Sequence, residues 1–160
     1  MRTHVFSLYV AASTSQVWTA LTRPDVTPHY YFGLRAESEW AEGSTVSFRA
    51  PGLLVATGEV VRAERGHLLM HSLADACAEP PDPDASDLRP ATWVSWELEP
   101  REDGVTRVRL LVDELESDSD EEADETELVW SRLLSNLKTL LETGAGLLPR
   151  QRGAVMPESG

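Results

Sequence analysis

The histidines are the side chains of this sequence with the widest chemical range. His67 and His71 are four residues apart, but they fall on a predicted strand that would hold their rings about 13 Å apart. We therefore expect no metal ion shared between them. His29 stands directly before Tyr30, Tyr31 and Phe32, which makes it a better candidate for a binding pocket, whereas a surface or core position is the default for the other histidines.

No recognisable catalytic or cofactor motif is present. Cys77 is the only cysteine, so neither an intramolecular disulfide nor a cysteine-based metal site can form within the chain. The sequence contains no GxSxG elbow, glycine-rich phosphate loop, HExxH or Walker pattern. We therefore expect no metal and no cofactor, and the catalytic residues of any enzyme activity stay unknown at this point.

Large apolar side chains with a few polar ones among them form the candidate ligand site, since small-molecule pockets are mostly apolar with a few placed polar groups. The expected lining residues are Tyr31, Phe32, Trp40, Phe48, Glu59, Met70, His71, Trp96, Leu110, Trp130, Leu134 and Leu137, with Asn136 as a further polar candidate. The alternative interpretation is that the tryptophans of this set, together with Trp18, are plain hydrophobic core.

Glu59 is the acidic residue of greatest interest in this set. If its side chain faces inward, an apolar environment would raise the pKa of the carboxyl group. The alternation of the strand does not fix its direction, because Gly58 can introduce a bulge.

Charge and hydropathy exclude some classes of partner. The formal net charge is −13, which argues against nucleic acid, because binding to phosphates needs Lys and Arg. The run over 113–127 holds 10 acidic residues and no basic one. No apolar run approaches the roughly 20 residues that span a bilayer, and the amino terminus lacks a signal-peptide pattern. We expect a cytoplasmic protein without membrane insertion.

Two short helices and a series of strands are predicted before residue 116. Ser13 and Gln16 have the spacing of a capping box, and Pro24 disfavours helical geometry at the residue before it. A second short helix is predicted over 27–32, with Thr27 as its cap and Gly33 at its end. Alternating apolar residues predict strands over 4–10, 34–40, 45–50, 53–63, 67–73, 92–99 and 105–115. The short turns between them favour an antiparallel meander.

The strongest pattern is a long amphipathic helix over 125–143, which Gly144 would end. Its apolar stripe is centred near Leu137, so the helix must lie across a sheet. The expected single domain, 1–144, contains a proline-rich loop over 74–90 and an acidic loop over 113–127. A flexible tail is expected over 145–160.

The order of these elements and several short segments carry a family resemblance. SQVWTALTRPDVTPHYYFG, the GEVV of the fourth strand, VSWELEP followed by GVTRVRLLVDEL, and LSNLKTLLETG resemble the START/Bet v1-like (SRPBCC) superfamily. Within it they are most similar to the bacterial branch related to the C-terminal domain of the Hsp90 ATPase activator (AHSA1-like). The resemblance covers about residues 4 to 144 and implies an α+β helix-grip fold, in which a curved antiparallel sheet of about six or seven strands surrounds the long C-terminal helix.

The resemblance also implies an apolar cavity between the long helix and the sheet. The first functional hypothesis is binding of a small hydrophobic molecule of the lipid, polyketide or aromatic type in that cavity. The second is an enzyme resembling polyketide cyclases and aromatases, and the third is a protein-interaction module resembling the Hsp90 co-chaperone. An open pocket with convergent ionisable groups would favour the enzyme, an apolar pocket would favour binding, and a filled interior would favour interaction.

Overall fold

The computed structural model describes residues 2–75, 92–102, 104–114 and 120–144. Seven strands form the sheet, and their bounds are β1 (Arg2–Val10), β2 (Arg35–Glu37), β3 (Thr45–Ala50), β4 (Leu53–Glu64), β5 (Leu68–Asp75), β6 (Thr92–Pro100) and β7 (Thr106–Glu114). Helix α1 (Thr14–Thr22) follows β1, a 3-10 helix (Thr27–His29) precedes β2, and helix α2 (Asp120–Thr143) comes last. The predicted α+β helix-grip fold is confirmed.

The sheet is antiparallel throughout, in the order β1-β7-β6-β5-β4-β3-β2. β1 and β2 are therefore its two edges. The register shifts between Phe48 and Arg49 in β3 and between Val60 and Arg62 in β4. Such bulges bend a strand and increase its twist, which helps the sheet to curve around a helix.

Gly58 has a packing role between β4 and β5. A Cβ atom at this position would overlap the backbone carbonyl of Ser72 on the neighbouring strand. The glycine that the sequence marked as a possible bulge is thus required by a close approach of two backbones, while the register shifts lie at other residues.

Helix α1 forms as its sequence predicts. The Gln16 backbone N–H donates to the Ser13 hydroxyl at 3.1 Å, and the Ser13 N–H donates to the Gln16 side chain at 2.8 Å. Val17, Trp18 and Leu21 are buried against the common core. Because an isolated helix of this length is marginal in water, this packing stabilises it.

The predicted second helix is shorter than expected. It is a 3-10 turn over Thr27–His29, and Thr27 does not cap it, because its buried hydroxyl instead accepts the Ala36 backbone N–H at 2.9 Å. This bond closes the open edge of β2. Gly33 follows in the left-handed region with φ +80, as a chain-reversing glycine does.

Helix α2 begins five residues earlier than the sequence pattern indicated. The acidic loop expected over 113–127 is therefore not a loop at either end, since Asp113 and Glu114 belong to β7 and 120–127 is helical. Aspartate and glutamate in the first turns interact favourably with the helix dipole, which offsets the missing apolar periodicity there. The expected proline-rich loop and C-terminal tail lie outside the described residues, apart from Ala74 and Asp75 at the end of β5.

The core lies between α2 and the sheet. Leu133, Leu134 and Leu137 of α2 are almost completely buried and belong to one cluster with residues of β6 and β7 such as Val94 and Leu110. Burial of each of these side chains contributes roughly 1.5–3 kcal/mol before the loss of conformational entropy. The helix ends at Thr143, and the N–H of the following Gly144 donates to the Leu140 carbonyl at 2.7 Å.

Candidate functional site

Four buried rings from four separate segments of the chain meet where α2 packs on the sheet. The ring centroid of Tyr31 lies 5.2 Å from that of Phe48 and 6.2 Å from that of Trp130, while Phe48 lies 5.8 Å from His71. Each of the four residues is at least nine-tenths buried. We call these residues the aromatic cluster, and all four belong to the set predicted from the sequence.

The fold brings these rings together from distant parts of the chain. Tyr31 follows the 3-10 helix, Phe48 lies in β3 beside a register shift, His71 lies in β5, and Trp130 lies in the middle of α2. The Tyr31 and Trp130 rings meet edge to face at 84°. This geometry is favourable, because the positive edge of one ring contacts the negative face of the other.

The Tyr31 hydroxyl has no hydrogen-bond partner in the part of the chain that the structure describes. Its burial raises the pKa of the phenol, so the group stays protonated and can both donate and accept. Leaving such a group unpaired costs about 1–3 kcal/mol. Buried polar groups normally have a partner, so this hydroxyl marks a place where a water molecule or a ligand atom is expected.

The neighbouring Tyr30 shows the opposite behaviour. Its hydroxyl donates to the Ala20 carbonyl at 2.6 Å, inside the core. In a continuing helix that carbonyl would accept the N–H of residue 24, but Pro24 has none. Tyr30 thus completes the end of α1, and the proline four residues after Ala20 is the sequence signal that could have identified this role.

His71 is the second polar group of the aromatic cluster. Its Nδ1 atom lies 2.8 Å from the Ser72 carbonyl oxygen, which can only accept, so Nδ1 carries the proton. Burial lowers the pKa of the ring, with the bond to Ser72 opposing this in part. The imidazole is therefore neutral near pH 7, and its Nε2 atom presents an acceptor.

Other predicted lining residues are part of the packed interior. Trp96, Leu110, Leu134 and Leu137 are all at most 3 % exposed. Asn136 is also buried, and its side-chain amide donates to the His29 carbonyl at 3.3 Å, which ties α2 to the 3-10 helix. His29 itself points its side chain to solvent, unlike the pocket residue that its neighbours suggested.

Three predicted residues do not join this interior. Glu59 is exposed, which corrects its place among the predicted lining residues, because its neighbour Val60 is the residue that faces the core. Met70 lies between the buried Leu69 and His71, so alternation along β5 directs it to the opposite face of the sheet. Phe32 is 39 % exposed.

Phe32 and Trp40 share an unusual backbone conformation on either side of β2. Their φ angles are +54° and +56°, in the left-handed region that bulky residues rarely adopt. Such conformations cost on the order of 1–3 kcal/mol and occur often at functional sites. Trp40 is half-buried, and its N–H donates to the Ser38 hydroxyl at 2.9 Å. No sequence signal marks these two positions.

Within the described ranges, no three acidic, histidine or cysteine side chains are placed so that they could hold a metal ion. Over the same residues, no helix has the length and apolar character to cross a bilayer.

The chain matches a known family over most of its length. A family model described as "Activator of Hsp90 ATPase homolog 1-like protein" matches residues 11–142, which is most of the chain. The chain belongs to this family. The resemblance stated from the sequence is thereby confirmed, and comparison with curated proteins gives no match.

Solved structures of the same fold come from distant organisms. The Aha1 dimer from Colwellia psychrerythraea has a TM-score of 0.71 and 23% identity, covering 91% of this chain and 100% of that chain. An HSP90 activator from Plasmodium falciparum has a TM-score of 0.68 at 14% identity, covering 88% and 96%. CalU16 from Micromonospora echinospora has a TM-score of 0.66 at 18% identity, covering 89% and 78%. At these identities the likeness shows the fold alone.

Proposed function

We propose that this protein binds a small, mainly apolar molecule beneath α2, with the aromatic cluster as its contact surface. The observation that carries the proposal is the buried Tyr31 hydroxyl without a partner among the described residues. A ligand oxygen or N–H at this position would recover the 1–3 kcal/mol, in order of magnitude, that the unpaired group costs. A bound ligand would thus supply the hydrogen-bond partner that the described residues do not give the Tyr31 hydroxyl.

The chemistry of the aromatic cluster indicates the type of ligand. Flat apolar surface suits the rings of Phe48 and Trp130, while the Tyr31 hydroxyl offers one donor and acceptor. Neutral His71 belongs to the same cluster through Phe48 and offers an acceptor at Nε2. An aromatic or polyketide-like molecule with one hydroxyl, carbonyl or N–H group matches this set better than a plain alkyl chain.

Native mass spectrometry of protein purified from its own host tests the proposal. We expect a co-purifying molecule in the wild type and in Tyr30→Phe, and its loss in Tyr31→Phe. Both variants remove a hydroxyl oxygen from a tyrosine ring. The Tyr30 hydroxyl is hydrogen-bonded to the Ala20 carbonyl, whereas the Tyr31 hydroxyl has no partner among the described residues. Wild-type protein without any bound mass, together with equal affinity of both variants for the N–H-bearing apolar dye N-phenyl-1-naphthylamine, would refute the proposal.

The same preparation separates binding from catalysis. A cyclase-like enzyme, the alternative within the superfamily resemblance, would release a molecule with a changed bond pattern, which chromatography against the supplied compound detects. A binding protein returns the molecule unchanged. His71→Asn would abolish turnover if the neutral imidazole acts as the base, while binding through Tyr31 would persist.

A protein partner is the second candidate function, and the packing of the interior favours it. The predicted lining residues Trp96, Leu110 and Leu137 are at most 2 % exposed, so the interior around these three side chains is packed. The family description and the similar HSP90 activator from Plasmodium falciparum suggest a chaperone of the Hsp90 class as the partner. An increase in the ATPase rate of a purified Hsp90 on addition of this protein supports this function, and an unchanged rate without complex formation argues against it.

A further inference from the structure

An open groove separates the beginning of β1 from the beginning of α2. Its volume is about 560 Å³. One wall is formed by residues 2–5 of β1, and the other by Asp120, Ala123, Asp124 and Glu127 of α2. This groove, which we call the β1 groove, is separate from the aromatic cluster and shares no residue with it.

The wall formed by β1 belongs to an edge strand of the sheet. β1 is the terminal strand of the sheet, and the Tyr9 carbonyl points away from β7, because it accepts a hydrogen bond from Lys138 Nζ at 2.7 Å. Backbone groups of alternate residues point to the same side of a strand. The N–H and C=O groups of Thr3, Val5 and Ser7 therefore face the open edge, and no described residue pairs with them.

The edge strand on the other side of the sheet, β2, is short, and its outward backbone N–H is hydrogen-bonded. At β2 the outward N–H of Ala36 is taken up by the Thr27 hydroxyl at 2.9 Å, and the edge strand is only three residues long. Short and covered edges are the usual protection against pairing with another chain. β1 has nine residues, and within the described part of the chain Lys138 covers its outer edge near the carboxyl end, at Tyr9.

The wall formed by α2 is acidic. Asp120, Asp124 and Glu127 recur at intervals of four and three residues, which places them on one face of the helix. Arg2 pairs with Asp120 at 2.7 Å, whereas no cation in the described ranges pairs with Asp124 or Glu127. A negatively charged wall therefore stands beside a row of backbone groups that have no partner among the residues the structure describes.

We propose that the β1 groove binds an extended protein segment that adds to β1 as an eighth strand and carries Lys or Arg at alternating positions. Alternate side chains of a strand point to the same face about 6.6 Å apart. Carboxylates four residues apart on a helix are separated by about 6 Å along its axis. The interval between Asp120 and Asp124 therefore matches cations at every second position of the added strand, while Asp124 and Glu127, three residues apart, are separated by about 4.5 Å along the axis.

Charge selects a basic segment over a second copy of this chain. Each copy carries a formal charge of −13, so two acidic walls brought together along their β1 edges would repel one another. The proposal rests on the second candidate function to the extent that the partner is a protein. It requires neither a chaperone of the Hsp90 class nor a ligand in the aromatic cluster.

Fluorescence anisotropy with labelled octapeptides tests the proposal on the full chain. The probe alternates Arg and Thr, one control places the same residues in blocks, and another is N-methylated at alternate amides. We expect the alternating peptide to bind, and we expect either control to bind at least about tenfold more weakly, because the backbone bonds or the charge register are lost. Equal binding of all three peptides would overturn strand addition.

Variants of the protein test both walls of the β1 groove. The double substitution Asp124→Asn/Glu127→Gln should weaken the alternating peptide about tenfold or more. Glu39→Gln/Glu42→Gln is its control, because it makes the same change of net charge at exposed residues far along the chain and should leave binding unchanged. Equal losses in the two double variants would mean that only the overall charge matters, which would overturn the proposal.

Val5→Pro removes one outward N–H from an edge, where proline is tolerated. We expect native circular dichroism and lost peptide binding. If this variant does not fold, amide hydrogen exchange of the wild type gives the same information, since peptide binding should protect the amides of Val5 and Ser7. Unprotected amides in the bound state, or a β1-dependent dimer in light scattering that the peptide does not dissociate, would contradict the proposal.

Discussion

The two ends of α2 differ more than any other pair of regions in this protein. From Trp130 onward the helix buries Leu133, Leu134 and Leu137 against the sheet. Before Trp130 it is acidic, and it exposes Leu128 and Val129 to solvent. Apolar packing holds the carboxyl part of α2 against the sheet. The amino part is connected to the sheet by the polar contacts of Asp120 with Arg2 and of Thr126 with Glu114. One helix therefore combines a structural part with a part that is available to a partner.

Shortening a leucine in each region should give the largest contrast. Leu137→Ala should lower the free energy of unfolding by about 2–5 kcal/mol, because it leaves a cavity in the core. Leu128→Ala, at a position that is 60 % exposed, should change it by no more than about 0.5 kcal/mol. Urea denaturation followed by tryptophan fluorescence measures both. Similar losses in the two variants would mean that the amino end of α2 is also held by packing.

The sequence predicts the carboxyl part of α2 well and its amino part poorly, and the reason is physical. Leucines at helical spacing are visible because that part of the helix is defined by what it buries. The residues over 120–127 bury only Ala123 among those described, so they give no apolar period. Their helical state depends on acidic residues at a helix start and on continuation from the packed part, and neither appears as periodicity.

The candidate site divides in the same way. Apolar character predicts Phe48 and Trp130 as lining residues, with Tyr31 and His71 as polar residues among them, and the structure brings these four together. Their contacts depend on the register of separate strands, which spacing along the chain does not contain. The sequence leaves the direction of Glu59 open because Gly58 can introduce a bulge. The left-handed backbone of Phe32 and Trp40 has no sequence signal because neither residue favours it.

The adjacent tyrosines should differ in stability when each loses its hydroxyl. Tyr30→Phe leaves the Ala20 carbonyl buried without its donor, so the free energy of unfolding should fall by about 1–3 kcal/mol. Tyr31→Phe removes a group that has no partner among the described residues, so ligand-free protein should lose no stability. Thermal denaturation of protein stripped of small molecules compares them. A loss in Tyr31→Phe as large as that in Tyr30→Phe would show that Tyr31 is already hydrogen-bonded.

Acidification should weaken the interior through His71. Burial lowers the pKa of this ring below its ordinary value of 6.5, so below about pH 6.5 the unfolded chain takes up a proton that the folded protein refuses. Its stabilising contribution is complete above that pH and decreases as the pH falls toward the folded pKa, with a slope of at most about 1.4 kcal/mol per pH unit.

Unfolding free energies between pH 7 and 5 measure this slope. His71→Asn keeps a donor for the Ser72 carbonyl but cannot titrate, so its profile should be flatter than that of the wild type. His67→Asn changes an exposed histidine and should leave the wild-type slope intact. Identical slopes in all three proteins would place the pH dependence in other groups.

The smallest change in stability is expected where α2 meets Arg2. The Arg2–Asp120 pair is open to solvent, with the Asp120 side chain 95% exposed, so Arg2→Gln should not measurably alter unfolding. Arg2 also lies in the β1 groove, where its positive charge would repel a basic segment and where it pairs with Asp120, one of the three carboxylates of the acidic wall. Its removal should therefore strengthen binding of the alternating Arg-Thr peptide by about two- to threefold. Anisotropy titrations at low salt measure this gain, which added salt should reduce because the groove is open. Weaker binding by Arg2→Gln would show that Arg2 is part of the recognition surface, and that the acidic face of α2 does not select the partner.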